Sequence, residues 1–203
     1  MTVRRNLTTV TLLAIAFLVA GCSSAPDAEL TEAVATLDDA RETAQADQWA
    51  PEEFAEARQA LDEARQEIET QNGRFALMRD YDKALQDIAR ANAAAAEARR
   101  AATTQKENAR QEAGIKLQEA TAAIDIAREA LDKAPVTKDT RVDIQLYNAD
   151  LEGLGQSLDE VQGLITGEDY RGATVRAEAI TQSANDIAQK MNEARERLEQ
   201  RRR

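Results

Sequence analysis

The sequence predicts an all-α protein, an elongated helical bundle of coiled-coil type in which two three-helix units share one long helix. Three observations carry that expectation. Charged residues make up 31% of the 203 and aromatics only 3%, a balance typical of long helices and unsuited to a thick globular core. Eight glycines and three prolines leave long stretches unbroken. Past Ala25, apolar residues recur at spacings of three and four, the period of one helix face.

The first helix is read from Leu30, Val34, Leu37, Ala40 and Ala44. The run QWAP from Gln48 interrupts it. Pro51 with Glu52 and Glu53 then makes a favourable helix first turn. The second seam is Phe54, Ala57, Leu61, Ala64 and Ile68, stopped at QNGR, since Asn-Gly favours a turn. Phe75, Leu77 and Met78 are expected to pack this loop onto the bundle. The third helix, capped by Asp80, meets no strong stop until Ala134-Pro135, so it should run from about Asp80 to Lys133. That is roughly 75 Å at ~1.5 Å per residue. Its first half offers Tyr81, Leu85 and Ile88, and its second half Leu117, Ala120, Ile124, Ala127 and Leu131. The middle, TTQKENARQE, is polar on every face, and Gly114 costs about 1 kcal/mol relative to Ala.

Two more helices follow. One carries Ile144, Tyr147, Leu151, Leu154, Leu158, Val161 and Ile165, with Gly153, Gly155 and Gly163 read as allowing close packing. Gly167 stops it and Asp169 caps the last, which carries Tyr170, Ala173, Ala177, Ile180, Ala184, Ile187, Met191, Ala194 and Leu198. These two should pair antiparallel with the end of the long helix. A repeat underlies the layout: LDEARQEIET and RDYDKALQDIARA answer to LDEVQGLITG and EDYRGATVRAEAI, with about eight more residues in the first turn. By layout alone this resembles a spectrin-like tandem. Arg201-Arg202-Arg203 complements a helix C-terminal dipole, a reading preferred to a lipid or peptidoglycan contact.

The N-terminus addresses the protein. Arg4 and Arg5 precede the uncharged, mostly apolar Leu7–Ala20, the arrangement of an export signal. The run is shorter than the ~20 residues a spanning helix needs. It closes on Val19-Ala20-Gly21-Cys22, which resembles the lipobox of bacterial lipoproteins, with cleavage between Gly21 and Cys22. The resemblance implies that Cys22, the only cysteine, is acylated on sulfur and on its amine. Two acyl chains anchor stably where one does not. Ser23 after the cysteine fits outer-membrane sorting, on the periplasmic face. The expected organisation is a signal over 1–21, a lipidated tether over 22–26, and helical units over 27–105 and 106–203. Residues 1–21 contain two arginines and no acid, so their removal takes the formal charge from −11 to −13. So acidic a chain should not bind nucleic acid.

The phrase WAPEEFAEARQALDEARQEIE, followed by RDYDKALQDIARANAAAAEAR, resembles an alanine-rich domain-of-unknown-function family of proteobacterial envelope lipoproteins. Some of its members place the domain before an OmpA-like peptidoglycan-binding domain. The likeness covers about residues 25–101 well and the second half weakly. The 203 residues contain no OmpA-like module, so the resemblance does not lead to an expectation of peptidoglycan binding, and the family implies no activity.

Residue types narrow the chemistry. Histidine is absent and Cys22 is consumed by lipid, so zinc, thiol and His-based triad sites are not expected, nor is a cofactor. Asp38-Asp39 and Glu52-Glu53 read as solvated helix faces. Tyr81 and Tyr170 read as core anchors at matching helix starts, and Trp49 as packing over the end of the first bundle. The expected function is therefore a non-catalytic structural or adaptor lipoprotein of the cell envelope. It would hold the membrane through its acyl anchor and meet an envelope protein whose identity the sequence does not name, with self-association left open. The alternative is a periplasmic binding module or chaperone holding an apolar client between its helices. Alanine seams favour the first, because close-set helices leave little room for a ligand.

Overall fold

Helix propensity and the three-four spacing dominate the observed architecture. The computed structural model describes residues 24–137 and 140–202, and among them there is no strand. Six α-helices follow in order: α1 (Asp27–Glu42), α2 (Ala46–Trp49), α3 (Pro51–Asn72), α4 (Asp82–Asp132), α5 (Arg141–Thr166) and α6 (Tyr170–Arg202). A 3-10 turn, Ala76–Met78, lies between α3 and α4. The chain divides into two compact units at Gln105/Lys106. That division falls inside α4, whose polar middle and Gly114 do not interrupt it. Among the described residues no helix is long and apolar enough to cross a membrane.

In the first unit α1 packs on α3, and the one-turn α2 packs on both. Pro51 opens α3 with Glu52 and Glu53 in its first turn, where acids favour the helix dipole. Phe54, Ala57, Leu61, Ala64 and Ile68 are all buried, as is Trp49 over the α2 end. Tyr81, Ala84, Ile88 and Ala91 join Ala33, Ala60, Leu61, Ala64 and Ile68 in one core cluster. Ala25, Leu30, Val34 and Leu37 pack against it.

The second unit is built from the end of α4 with α5 and α6. Ala120, Ile124, Ala127 and Leu131 of α4 are buried, as are Leu151 and Val161 of α5 and the seam of α6, and α5 packs on α6. One of the two expected caps follows the sequence. Asp169 Oδ1 accepts a hydrogen bond from Gly172 N at 2.9 Å, the N-cap to N3 bond of a capped helix. A Cβ at position 172 would meet that carboxylate at 2.3 Å, so glycine leaves the cap its room. Asp80 acts one step earlier than a cap, accepting from Asp82 N at 2.9 Å.

The repeat survives as geometry. Tyr81, Ala84, Ile88, Ala91, Ala95, Ala98 and Ala102 correspond, at one constant offset, to Tyr170, Ala173, Ala177, Ile180, Ala184, Ile187 and Met191. Every one of these is buried. Likewise Phe54, Ala57, Leu61, Ala64 and Ile68 of α3 correspond to Leu151, Leu154, Leu158, Val161 and Ile165 of α5.

Three expectations are corrected. Leu85 is 41% exposed; the seam of α4 runs through Ala84, and Leu85 sits about 100° further round the helix. Phe75, Leu77 and Met78 do not pack onto the bundle but stand exposed. Gly153 and Gly163 are not close-packing sites, because a Cβ at either would meet nothing within 4 Å. Each lies two residues beyond a fully buried one, Leu151 or Val161, and so about 200° round the helix from it. A Cβ at position 155 would meet only the Arg128 guanidinium, at 3.6 Å.

Open space at helical glycines yields a prediction. Gly114, Gly153 and Gly163 all lack a neighbour within 4 Å of a Cβ. Replacing all three by alanine is expected to stabilise the protein by about 2–3 kcal/mol, close to 1 kcal/mol of helix propensity each. Urea unfolding followed by circular dichroism measures it, and an unmoved midpoint would contradict it.

Candidate functional site

Charge is organised along the α3–α4 hairpin of the first unit. Glu63 and Glu67 on α3 and Lys83, Asp87 and Arg90 on α4 recur at three- and four-residue spacing, so each set lines one stripe. Lys83 Nζ lies 3.4 Å from Glu67 and 3.0 Å from Asp87. Arg90 lies 3.2 Å from Asp87 and also pairs with Glu63. The Gln59 amide donates to Glu63 at 2.9 Å, and the Gln71 amide to Glu67 at 2.7 Å.

These bonds set the ionisation. The Gln59 hydrogen bond, then Arg90, holds the Glu63 carboxyl below its ordinary range. The Gln71 hydrogen bond does the same for Glu67, helped by Lys83 against partial desolvation. Asp87 raises Lys83, and Glu63 raises Arg90. Every shift favours the charged form, whereas a general acid needs a carboxyl pushed upward. The stripe is an electrostatic latch along the hairpin. The second unit has a smaller counterpart, with Arg176 at 2.7 Å from Glu160, the residue that corresponds to Glu63.

A shallow groove of about 580 Å³ opens between Thr36 and Asp39 of α1 and Ala95, Arg99 and Thr103 of α4. Arg99 closes on Asp39 at 2.9 Å, so the groove's one carboxylate already has its cation. Its floor is alanine, which offers a ligand little apolar depth.

The sequence-predicted residues are placed as follows. Asp38 is half-exposed and 3.2 Å from Arg41. Asp39 serves the Arg99 pair, and Glu52 and Glu53 sit in the α3 first turn. None of these carboxylates shares an enclosed cleft with another. Tyr81 and Tyr170 are buried at their helix starts, and Trp49 is buried with its Nε1 donating to Gln45 Oε1 at 3.3 Å. Gly21 and Cys22 lie outside the described residues, as does Arg203. Among the described residues no cluster of histidine, cysteine or acidic side chains could hold a metal ion.

Sequence reasoning missed the polar neck of the α3–α4 loop. Gln71, only 4% exposed, accepts from Asp80 N at 3.0 Å while its amide holds Glu67. Tyr81 Oη donates to Asn72 Oδ1 at 2.5 Å. Arg79 donates to the carbonyls of Arg74 and Asn72 at 3.2 and 3.1 Å. The signal was present in the eight-residue excess of this turn over its counterpart.

Helices, latch and neck together define an all-α protein of two repeated helical units with a hydrogen-bonded loop on the first whose apolar side chains are exposed. No protein-family model matches the chain, and no curated protein and no solved structure matches it either.

Proposed function

We propose that the chain is a lipid-anchored structural or adaptor protein of the cell envelope, without catalytic activity. Cys22 would be its anchor, on the periplasmic face of an outer membrane. The observation that carries this reading is Val19-Ala20-Gly21-Cys22 at the close of the apolar run Leu7–Ala20, behind Arg4 and Arg5. The resemblance of residues 25–101 to alanine-rich envelope lipoproteins points the same way. The paired charges support the non-catalytic part, since each tuned carboxyl is held ionised by a neighbour rather than poised for proton transfer. The alanine-floored groove supports an adaptor over a chaperone, whose client would need deeper apolar space.

The test is metabolic labelling with a clickable fatty acid. The wild-type protein should carry the label and fractionate with envelopes. Cys22→Ser should lose the label and appear as an uncleaved or released product. Label persisting on the Ser variant would overturn the anchor.

A further inference from the structure

We propose that the loop between α3 and α4 is a second membrane contact, whose side chains Phe75, Leu77 and Met78 enter the lipid interface beside the acyl anchor. The proposal rests on the reading of Cys22 as that anchor.

The loop has an apolar head on a polar neck. Phe75, Leu77 and Met78 are 71%, 74% and 73% exposed. Among the described residues, nowhere else do three large, exposed apolar side chains fall within four positions. The head is preformed: Met78 N donates to Phe75 O at 2.8 Å, closing the 3-10 turn. The neck is fixed by the Gln71, Asn72, Arg79 and Tyr81 bonds described above. A surface ordered in advance loses less entropy on binding, and large apolar side chains held in water mark an interaction site.

Position selects the occupant. Glu63 of α3 pairs with Arg90 of α4, and Asp39 of α1 pairs with Arg99. The short connections between α1, α2, α3 and α4 make α3 antiparallel to both long neighbours, so α1 and α4 start at the same end of the first unit and α3 finishes there. Ala25, just ahead of α1, packs on the cluster that contains Ile68 and Tyr81, the residues flanking the loop. From Cys22 to Ala25 is three residues, a reach of at most about 11 Å. An acyl chain on Cys22 would thus hold the loop's own end of the unit against the bilayer. The charge agrees. Between Glu69 and Asp80 the only charged residues are Arg74 and Arg79, a basic interval in a chain of net charge −11, and cationic residues flanking an apolar segment suit anionic headgroups.

The second unit provides the contrast. Its matching turn, Gly167-Glu168-Asp169, is short and polar. The residues that lengthen the first turn are the ones that carry the apolar head. A groove on a partner protein and a second copy of this chain are the competing occupants. Neither accounts for the loop's place at the tethered end.

The test uses the acylated protein with Leu77→Trp, reconstituted in phosphatidylcholine–phosphatidylglycerol vesicles with or without brominated acyl chains. Trp49, buried at the opposite end of α3, provides a constant background read from the wild type. The introduced indole is expected to emit to the blue and lose most of its intensity to brominated lipid. Adding Phe75→Ser and Met78→Ser should largely abolish that quenching with the circular dichroism unchanged. An unquenched indole on a chain that carries the acyl label overturns the loop contact and leaves the anchor standing. A quenched indole on an unlabelled chain does the reverse. A blue shift that brominated lipid does not quench, and that grows with protein concentration, marks contact between copies and overturns the lipid assignment.

Discussion

Ile124→Ala should cost the second unit about 4 kcal/mol, the upper part of the range for a buried isoleucine. Ile124 is 1% exposed and, with Val161, is among the largest fully buried side chains. Its neighbours on α4 are Ala120, Ala123 and Ala127, all buried. Alanines cannot swing into a vacated volume as a leucine can, so the cavity stays open and the lost contacts are not replaced. The measurement separates the units. Trp49, the only tryptophan, reports on the first unit, whereas circular dichroism reports on all helices. The expected result is a circular dichroism transition at lower urea, with a smaller change in the Trp49 transition. A loss below about 1 kcal/mol would show that the site collapses, and that the alanine seam is softer than its burial suggests.

The helices were legible because their signals are local. Pro51 with its two acids, Gly167 and Asp169 each act within one turn of chain. The seams of α3 and α6 could be read because large apolar residues mark them. The seam of α4 was misplaced at Leu85 because its true member there is Ala84. In a half-helix rich in alanine on several faces, periodicity favours its one leucine, while the packed surface takes the row that lets backbones approach. The loop failed for a different reason. Hydrophobicity says that Phe75, Leu77 and Met78 gain by burial, and only the neck bonds of Gln71 and Arg79 reveal that the chain holds them outward. Such long-range side-chain bonds leave no periodic trace.

Those alanines also set the last expectation. Ala98→Ile should destabilise the first unit by about 1–3 kcal/mol, although the corresponding residue of the second unit is Ile187, itself buried. The difference lies opposite. Because α3 runs antiparallel to α4 with Glu63 beside Arg90, Phe54 lies nine residues back and so level with residue 99. Here Phe54 and Trp49 are both buried, and at that level α4 buries only Ala95, Ala98 and Ala102. In the second unit the position of Phe54 is held by Leu151, and Ile187 and Met191 take the room. Each unit thus fills the same layer from a different helix, and a close-packed layer has no space for both solutions. Phe54→Leu alone should also destabilise, by leaving part of the ring's volume empty. Combined with Ala98→Ile it restores the second unit's pattern, so the double variant should be more stable than the two costs added, by about 0.5 kcal/mol or more. Urea unfolding read at Trp49 gives all four corners of that cycle. Simple additivity would mean that Phe54 and Ala98 do not share a layer.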